Sequence, residues 1–144
     1  MCSQKESLGF LMGAISRMMR NTFQQQLQCS SDLTLAQSKA LLYISRNQGL
    51  RQVELAEMLE IKPITLARLI DVLTEAKLVE RRSDANDRRA YCLYLLPEAE
   101  PLLTEINRVI SEVRAKAFNH LDESQREVIL QGLKVIHQNL SESI

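Results

Sequence analysis

Residues 49–103 read GLRQVELAEMLEIKPITLARLIDVLTEAKLVERRSDANDRRAYCLYLLPEAEPLL, and the period of the apolar residues changes twice within them. Val53, Leu55, Ala56 and Leu59 mark a short helix over about Gln52–Glu60. A second helix opens at Pro63, a residue favoured in a first helical turn, and runs to about Ala76. Only Glu60, Ile61 and Lys62 separate the two, so the pair reads as a helix-turn-helix. The spacing then shortens to that of strands. Leu78–Ser83 and Ala90–Leu96 are the expected strands, with a polar turn around Asp84-Ala85-Asn86-Asp87 between them. A hairpin directly behind a helix-turn-helix is a wing.

Outward from this centre the chain reads as helix in both directions. Leu8, Leu11, Met12, Ile15, Met18, Met19 and Phe23 recur at helical spacing, so a long amphipathic helix comes first and ends in the polar stretch Gln28–Asp32. Thr34 and Gln37 have the spacing of a capping box, and the helix they start runs to about Arg46 and stops near Gly49. On the other side, Pro97 is expected to begin one helix continuing to His120, about 34 Å long from Glu98. Its apolar stripe is Leu103, Ile106, Val109, Ile110, Val113 and Ala117. Asp122 and Gln125 begin a last helix, on which Ile129, Leu133, Ile136 and Leu140 form a heptad-like seam. The fold class is mainly α with a small β-hairpin wing: a winged helix-turn-helix with long terminal helices. One chain of 144 residues has little with which to cover those helices, so Leu8, Leu11, Ile129, Leu133, Ile136 and Leu140 are expected to meet a second copy.

Composition agrees with this and narrows the function. Only 4 Gly and 3 Pro interrupt a chain that is 45% hydrophobic and 25% charged, as a mainly helical globular protein requires. Lys plus Arg equals Asp plus Glu at 18 each, so net charge alone does not indicate a polyanion partner. Its distribution does more. Residues 93–144 hold 5 basic and 8 acidic groups, whereas residues 62–92 hold 7 and 5. A local basic excess can bind phosphate on a neutral chain. Cys2, Cys29 and Cys92 form no CxxC pair, so neither a metal site nor a disulfide framework is expected. Residues 8–16 resemble a short signal core, but Arg17 and Arg20 follow at once without a small-residue cleavage site. No apolar run reaches membrane-spanning length, and a cytoplasmic location is expected. His120 and His137 sit in no nucleophile or zinc-protease motif and no Gly-rich phosphate loop occurs, so an enzyme is not expected and no cofactor is called for.

The chemistry-bearing residues lie on the second short helix and the hairpin. Leu66, Leu69, Ile70 and Leu73 suit a buried face, and Ile64, Thr65 and Arg68 project from the other side. Arg can meet guanine bidentately in a major groove or hold phosphate, and Thr can meet phosphate or a thymine methyl. The same residues also suit a merely solvated helix. Arg81 and Arg82 lead into the hairpin and Asp87-Arg88-Arg89 closes its tip. Arg at such a tip fits a narrow, A·T-rich minor groove, and a neighbouring Asp could hold one guanidinium extended.

Taken together, Gly49–Leu103 resembles the core of the bacterial MarR family of regulators, nearest its SlyA branch, and the resemblance holds over residues 34–103. It implies one MarR-type domain over residues 1–144, with a DNA-binding lobe at 34–96 and dimerisation helices at 1–30 and 98–144. The implied function is a homodimeric transcriptional regulator of the repressor type on a pseudo-palindromic operator in double-stranded DNA. Lys62, Pro63, Thr65 and Arg68 fall on recognition-helix positions, Arg82, Arg88 and Arg89 on the wing, and Asp87 at the supporting carboxylate. The resemblance also implies a small aromatic or phenolic effector, for which Met12, Ile15, Arg17 and Met19 are the candidate site; these residues equally suit core or dimer seam. Two alternatives keep the same fold: a thiol-based redox sensor, and a protein-interaction module without DNA binding. The chain departs from the family pattern at Glu60 and Lys77, where Gly is usual, at Arg51, which stands for a helix-capping Thr, and at Lys62, which stands for Ser.

Overall fold

The computed structural model describes residues 7–143. Helix α1 (Leu8–Gln28) is followed by α2 (Leu35–Arg46), α3 (Gln52–Met58) and α4 (Pro63–Glu75). Strands β1 (Val79–Ser83) and β2 (Tyr91–Leu95) form an antiparallel hairpin, registered from Val79 opposite Leu95 to Ser83 opposite Tyr91. A single 3-10 turn, Pro97–Ala99, leads into α5 (Glu100–Ala117), and α6 (Glu123–Ser141) ends the described chain. This is a mainly helical winged helix-turn-helix.

Local chemistry sets the element ends. The Thr34 hydroxyl accepts from the Gln37 N–H at 3.2 Å while Gln37 Oε1 accepts from the Thr34 N–H at 2.9 Å, and Asp122 and Gln125 make the same reciprocal pair. Gln24 Oε1 also accepts from the Leu35 N–H at 2.9 Å, tying α1 to the start of α2. Glu60 and Lys77 stand in left-handed conformations with φ of 55° and 59°. Behind them Ile61 N–H donates to Ala56 O and Leu78 N–H to Leu73 O, the paired carbonyl capping of a Schellman end. The helices stop at these positions although neither residue is Gly, at a local cost on the order of 1 kcal/mol each.

Several boundaries differ from expectation. Leu78 gives its N–H to the end of α4, so β1 starts one residue later. The helix expected to run unbroken from Pro97 begins at Glu100. Pro101 has no N–H to return to the Pro97 carbonyl, so that carbonyl is taken by Glu100 in a 3-10 turn. Helix α5 also ends at Ala117, with His120 at φ 65° beyond it, so it spans about 27 Å rather than 34.

The core joins all elements except α6. Leu41, Ile44, Leu55, Leu66, Ile70, Leu73, Val79 and Leu93 pack beneath the hairpin, and Phe23 and Leu27 of α1 meet the apolar stripe of α5. On α5 Arg108 is held between Glu105 and Glu112. Its hydrogen bond, helped by the Ser30 hydroxyl, brings the Glu105 carboxyl down to about 2.

The segment before α3 completes the hairpin. Gly49 N–H donates to Leu93 O at 2.8 Å, Leu93 N–H to Leu50 O at 2.9 Å, and Gln48 Oε1 accepts from Leu95 N–H. The edge of β2 that faces away from β1 is thereby paired. Gly49 adopts φ 85°, and a Cβ there would lie 2.9 Å from the Tyr94 hydroxyl. Gly49→Ala is therefore expected to destabilise the protein by about 1–2 kcal/mol, a melting temperature lower by several degrees. A thermal melt indistinguishable from the parent would refute this.

Candidate nucleic-acid interface

Helix α4 buries Leu66, Ile70 and Leu73 and turns Ile64, Thr65, Arg68, Asp71 and Val72 to solvent. Its start is preorganised by Pro63 at the first position, and Lys62 before it has extended geometry with no side-chain cap. The early N–H groups of α4 are thus open to an outside acceptor, beside the Lys62 and Arg68 cations. Arg68 makes no ion pair among the described residues. Ile64 is 63% exposed, an apolar group standing on the same outer row as Arg68 one turn on.

The hairpin is fixed against this helix by Arg81. Its Nη1 meets Asp71 Oδ1 of α4 at 2.6 Å, Nη2 donates to the Ala67 carbonyl at 2.9 Å, and Nε donates to Gln52 Oε1 of α3 at 2.9 Å. One half-buried guanidinium so holds α3, α4 and β1 in a single arrangement. The sequence shows Arg81 only as a charge leading into the wing; its partners lie 10, 14 and 29 residues away, and no local pattern links them.

Arg82 points to the opposite face. It pairs with Glu80 at 3.0 Å and its guanidinium stands 4.0 Å from the centre of the Tyr94 ring. At the tip, Arg88 and Arg89 are exposed and carry no ion pair among the described residues. Asp87 differs from the expected guanidinium support: its Oδ1 accepts the backbone N–H of Arg89 at 2.9 Å. A short Asp side chain two residues before an N–H closes an Asx turn, and this use wins locally. Asp84 does the same for Asn86 at 3.0 Å, and its other oxygen lies 2.7 Å from the Arg51 guanidinium. The Asn86 N–H and, secondarily, Arg51 hold the Asp84 carboxyl below the usual range against the opposing effect of burial.

The remaining candidates lie on the terminal helices. Leu8, Leu11, Met12, Ile15 and Met19 of α1 are all exposed on the single chain, as is Arg17. Helix α6 buries nothing, leaving Ile129, Leu133 and Leu140 exposed and Ile136 half-buried. Met12 shares an open apolar groove with Leu130, Leu133, Ile136 and Leu140, edged by Lys134 and His137. Cys29 is exposed at the end of α1, its thiol donating to the Gln25 carbonyl, and Cys92 is half-buried on β2. Cys2 lies outside the described residues. No helix of the described residues is long and apolar enough to cross a membrane.

The same arrangement of helices and hairpin occurs in solved proteins. A structure described as transcriptional regulator PA3341 is 33% identical, matching 94% of this chain and 99% of its own with a TM-score of 0.83. A MarR structure is 26% identical over 99% of this chain and 97% of its own, with a TM-score of 0.85. A mutant MarR from E. coli complexed with operator DNA is 22% identical over 90% of this chain and 92% of its own, with a TM-score of 0.78. The MarR family profile matches residues 31–90, which hold α2, α3, α4 and most of the wing. The chain belongs to the MarR family of winged-helix transcriptional regulators.

Proposed function

We propose that the protein is a homodimeric, sequence-specific regulator of transcription that binds a pseudo-palindromic operator in double-stranded DNA, and that it is not an enzyme. Within one MarR-type domain, residues 34–96 act as the DNA-binding lobe, and residues 1–30 and 98–144 as dimerisation elements. The observation that carries the reading is Arg68 on the outer face of α4 together with Arg88 and Arg89 at the hairpin tip, none of them ion-paired among the described residues, in a lobe whose α3, α4 and β1 Arg81 ties together. Lys62, Pro63, Thr65 and Arg68 enter the major groove at the start of α4, while Arg88 and Arg89 reach the minor groove and its flanking phosphates. Asp87 shapes the turn that presents them. Arg82 borders this surface and contributes least, since Glu80 already neutralises it.

The second copy covers the exposed stripes: Leu8 and Leu11 on α1, and Ile129, Leu133, Ile136 and Leu140 on α6. A small aromatic or phenolic anion is the proposed effector, placed beside Met12, Ile15 and Met19 with Arg17 as its cation. The protein acts in the cytoplasm, where its DNA is found. Selection of bound duplexes from a random DNA pool tests the central claim. An inverted repeat with half-site centres about one helical turn apart is expected. No enrichment of any sequence at low salt would refute it.

A further inference from the structure

Arg51 and Asp84 are not among the residues assigned to DNA, and together they join the start of α3 to the wing. Arg51 precedes α3, and its backbone forms a bridge with Cys92 on the edge of β2 away from β1. Glu54 Oε2 accepts the Arg51 N–H at 2.8 Å, so the backbone at this point is held from within α3. The side chain then crosses the hairpin to Asp84, the first residue beyond β1, at 2.7 Å. Asp84 is the better shielded partner, its side chain 11% exposed against 45% for Arg51. The carboxylate has two tasks: one oxygen takes the guanidinium, and the other takes the Asn86 N–H that begins the wing turn. The Asp84 N–H also closes the hairpin end on the Ala90 carbonyl at 3.0 Å. Arg51 therefore grips β2 by its backbone and the end of β1 by its charge. The segment carrying Arg88 and Arg89 starts and finishes at these two attachment points.

We propose that the Arg51–Asp84 ion pair is a positioning device for the wing, holding the Asp84–Ala90 turn against α3 so that Arg88 and Arg89 are presented to DNA in one orientation. The proposal rests on the DNA-binding reading of the wing. An unanchored two-stranded hairpin explores many orientations, and each must be given up on binding. A partly shielded, charge-assisted contact at the base removes that freedom in advance. Arg51 stands where the family usually has a capping Thr, so this chain exchanges a helix cap, supplied here by Glu54 alone, for a contact to the wing.

Two readouts on the full-length protein test this, one of them without DNA. Asp84→Asn keeps an acceptor for Asn86 and removes the charge facing Arg51; Arg51→Gln removes the other half. Tryptic cleavage after Arg88 and Arg89, followed by mass spectrometry, is expected to accelerate by about 2- to 5-fold in each variant, with Arg51→Lys close to the parent. Affinity for a mixed-sequence DNA duplex at low salt should fall by about the same factor per lobe, and the double variant should be no worse than either single one. In an Arg88→Ala/Arg89→Ala background, neither substitution should change DNA affinity further. The proposal is overturned if cleavage is unchanged, if the two effects add, or if Arg51→Gln still weakens binding in the wing-deficient background, which would make Arg51 itself a phosphate contact. Should the parent protein bind no duplex, the DNA-binding reading fails, and the cleavage rates still decide whether the pair orders the wing.

Discussion

An aspartate introduced at Leu133 or Ile136 is expected to convert the proposed homodimer into monomers. Helix α6 has no buried residue in the single chain, while Val128, Ile129, Leu130, Leu133, Val135 and Leu140 all remain exposed. That much apolar surface on one helix calls for a covering element, and the proposed second copy would supply it with the same stripe. Fully covering an exposed Leu or Ile side chain stabilises by about 1.5–3 kcal/mol; Leu133, 38% exposed, and half-buried Ile136 have about a third of that left to gain, and the two-fold symmetry of the proposed dimer counts each position twice. Losing both copies therefore raises the dissociation constant by about 5- to 30-fold, before the larger cost of two unpaired carboxylates in the seam is added. The lobe's own core runs through α1 to α5 and the hairpin without α6, so helical circular dichroism should persist in the variant unless the monomer itself is unstable. Analytical ultracentrifugation decides the matter. A parent protein that sediments as a folded monomer at micromolar concentration would refute the dimer, and a variant that stays dimeric would refute this placement of the seam.

Alanine at the four outward residues of the lobe should separate sequence reading from anchoring. Arg88→Ala or Arg89→Ala should weaken binding to operator and scrambled duplexes alike, because a phosphate contact adds affinity to every sequence. The slope of log affinity against log salt should fall in magnitude by about one for each phosphate anchor removed, and a dimer carries every such anchor twice. Thr65→Ala and Arg68→Ala should instead alter which operator bases matter, at roughly 1–3 kcal/mol for each good bidentate base contact. The geometry motivates the division: Thr65 and Arg68 are fixed to a helix face by its packed side, whereas Arg88 and Arg89 sit on a turn, suited to reach but not to register. A salt titration of all four variants on both duplexes is the measurement. If all four match the parent in affinity and slope, the assignment of these residues is wrong.

The two predictions depend on features that were unequally legible. The stripe on α6 could be read from spacing alone, because an α-helix maps sequence period directly onto a face. That the described residues leave most of it open could not, since what surrounds a helix depends on where every other element goes. Arg88 and Arg89 were visible as a charged tip between two strands. The role of Asp87 was not, because a backbone N–H two residues on and a neighbouring guanidinium are both open to one carboxylate, and spacing does not choose between them. Arg82 illustrates the same limit in part: strand spacing already sets Glu80 on its face, but Tyr94 becomes its neighbour only when the hairpin registers.

By itself the sequence determined the order and type of the elements, the caps at Thr34 and Asp122, and the face of α4 turned outward. All of these are local: they depend on residues within a turn or two, or on a period that survives any packing. Only the tertiary structure decided which charges were already engaged. Arg51, Arg81 and Arg82 look alike along the chain as basic residues near a wing. Folding brings Arg51 to Asp84, Arg81 to Gln52, Ala67 and Asp71, and Arg82 to Glu80 and Tyr94. Arg68, Arg88 and Arg89 are left without an ionic partner among the described residues. The reason is physical: for Arg51 and Arg81 the contact joins surfaces that meet only after the core has formed, so these partners depend on three-dimensional distance rather than on spacing along the chain.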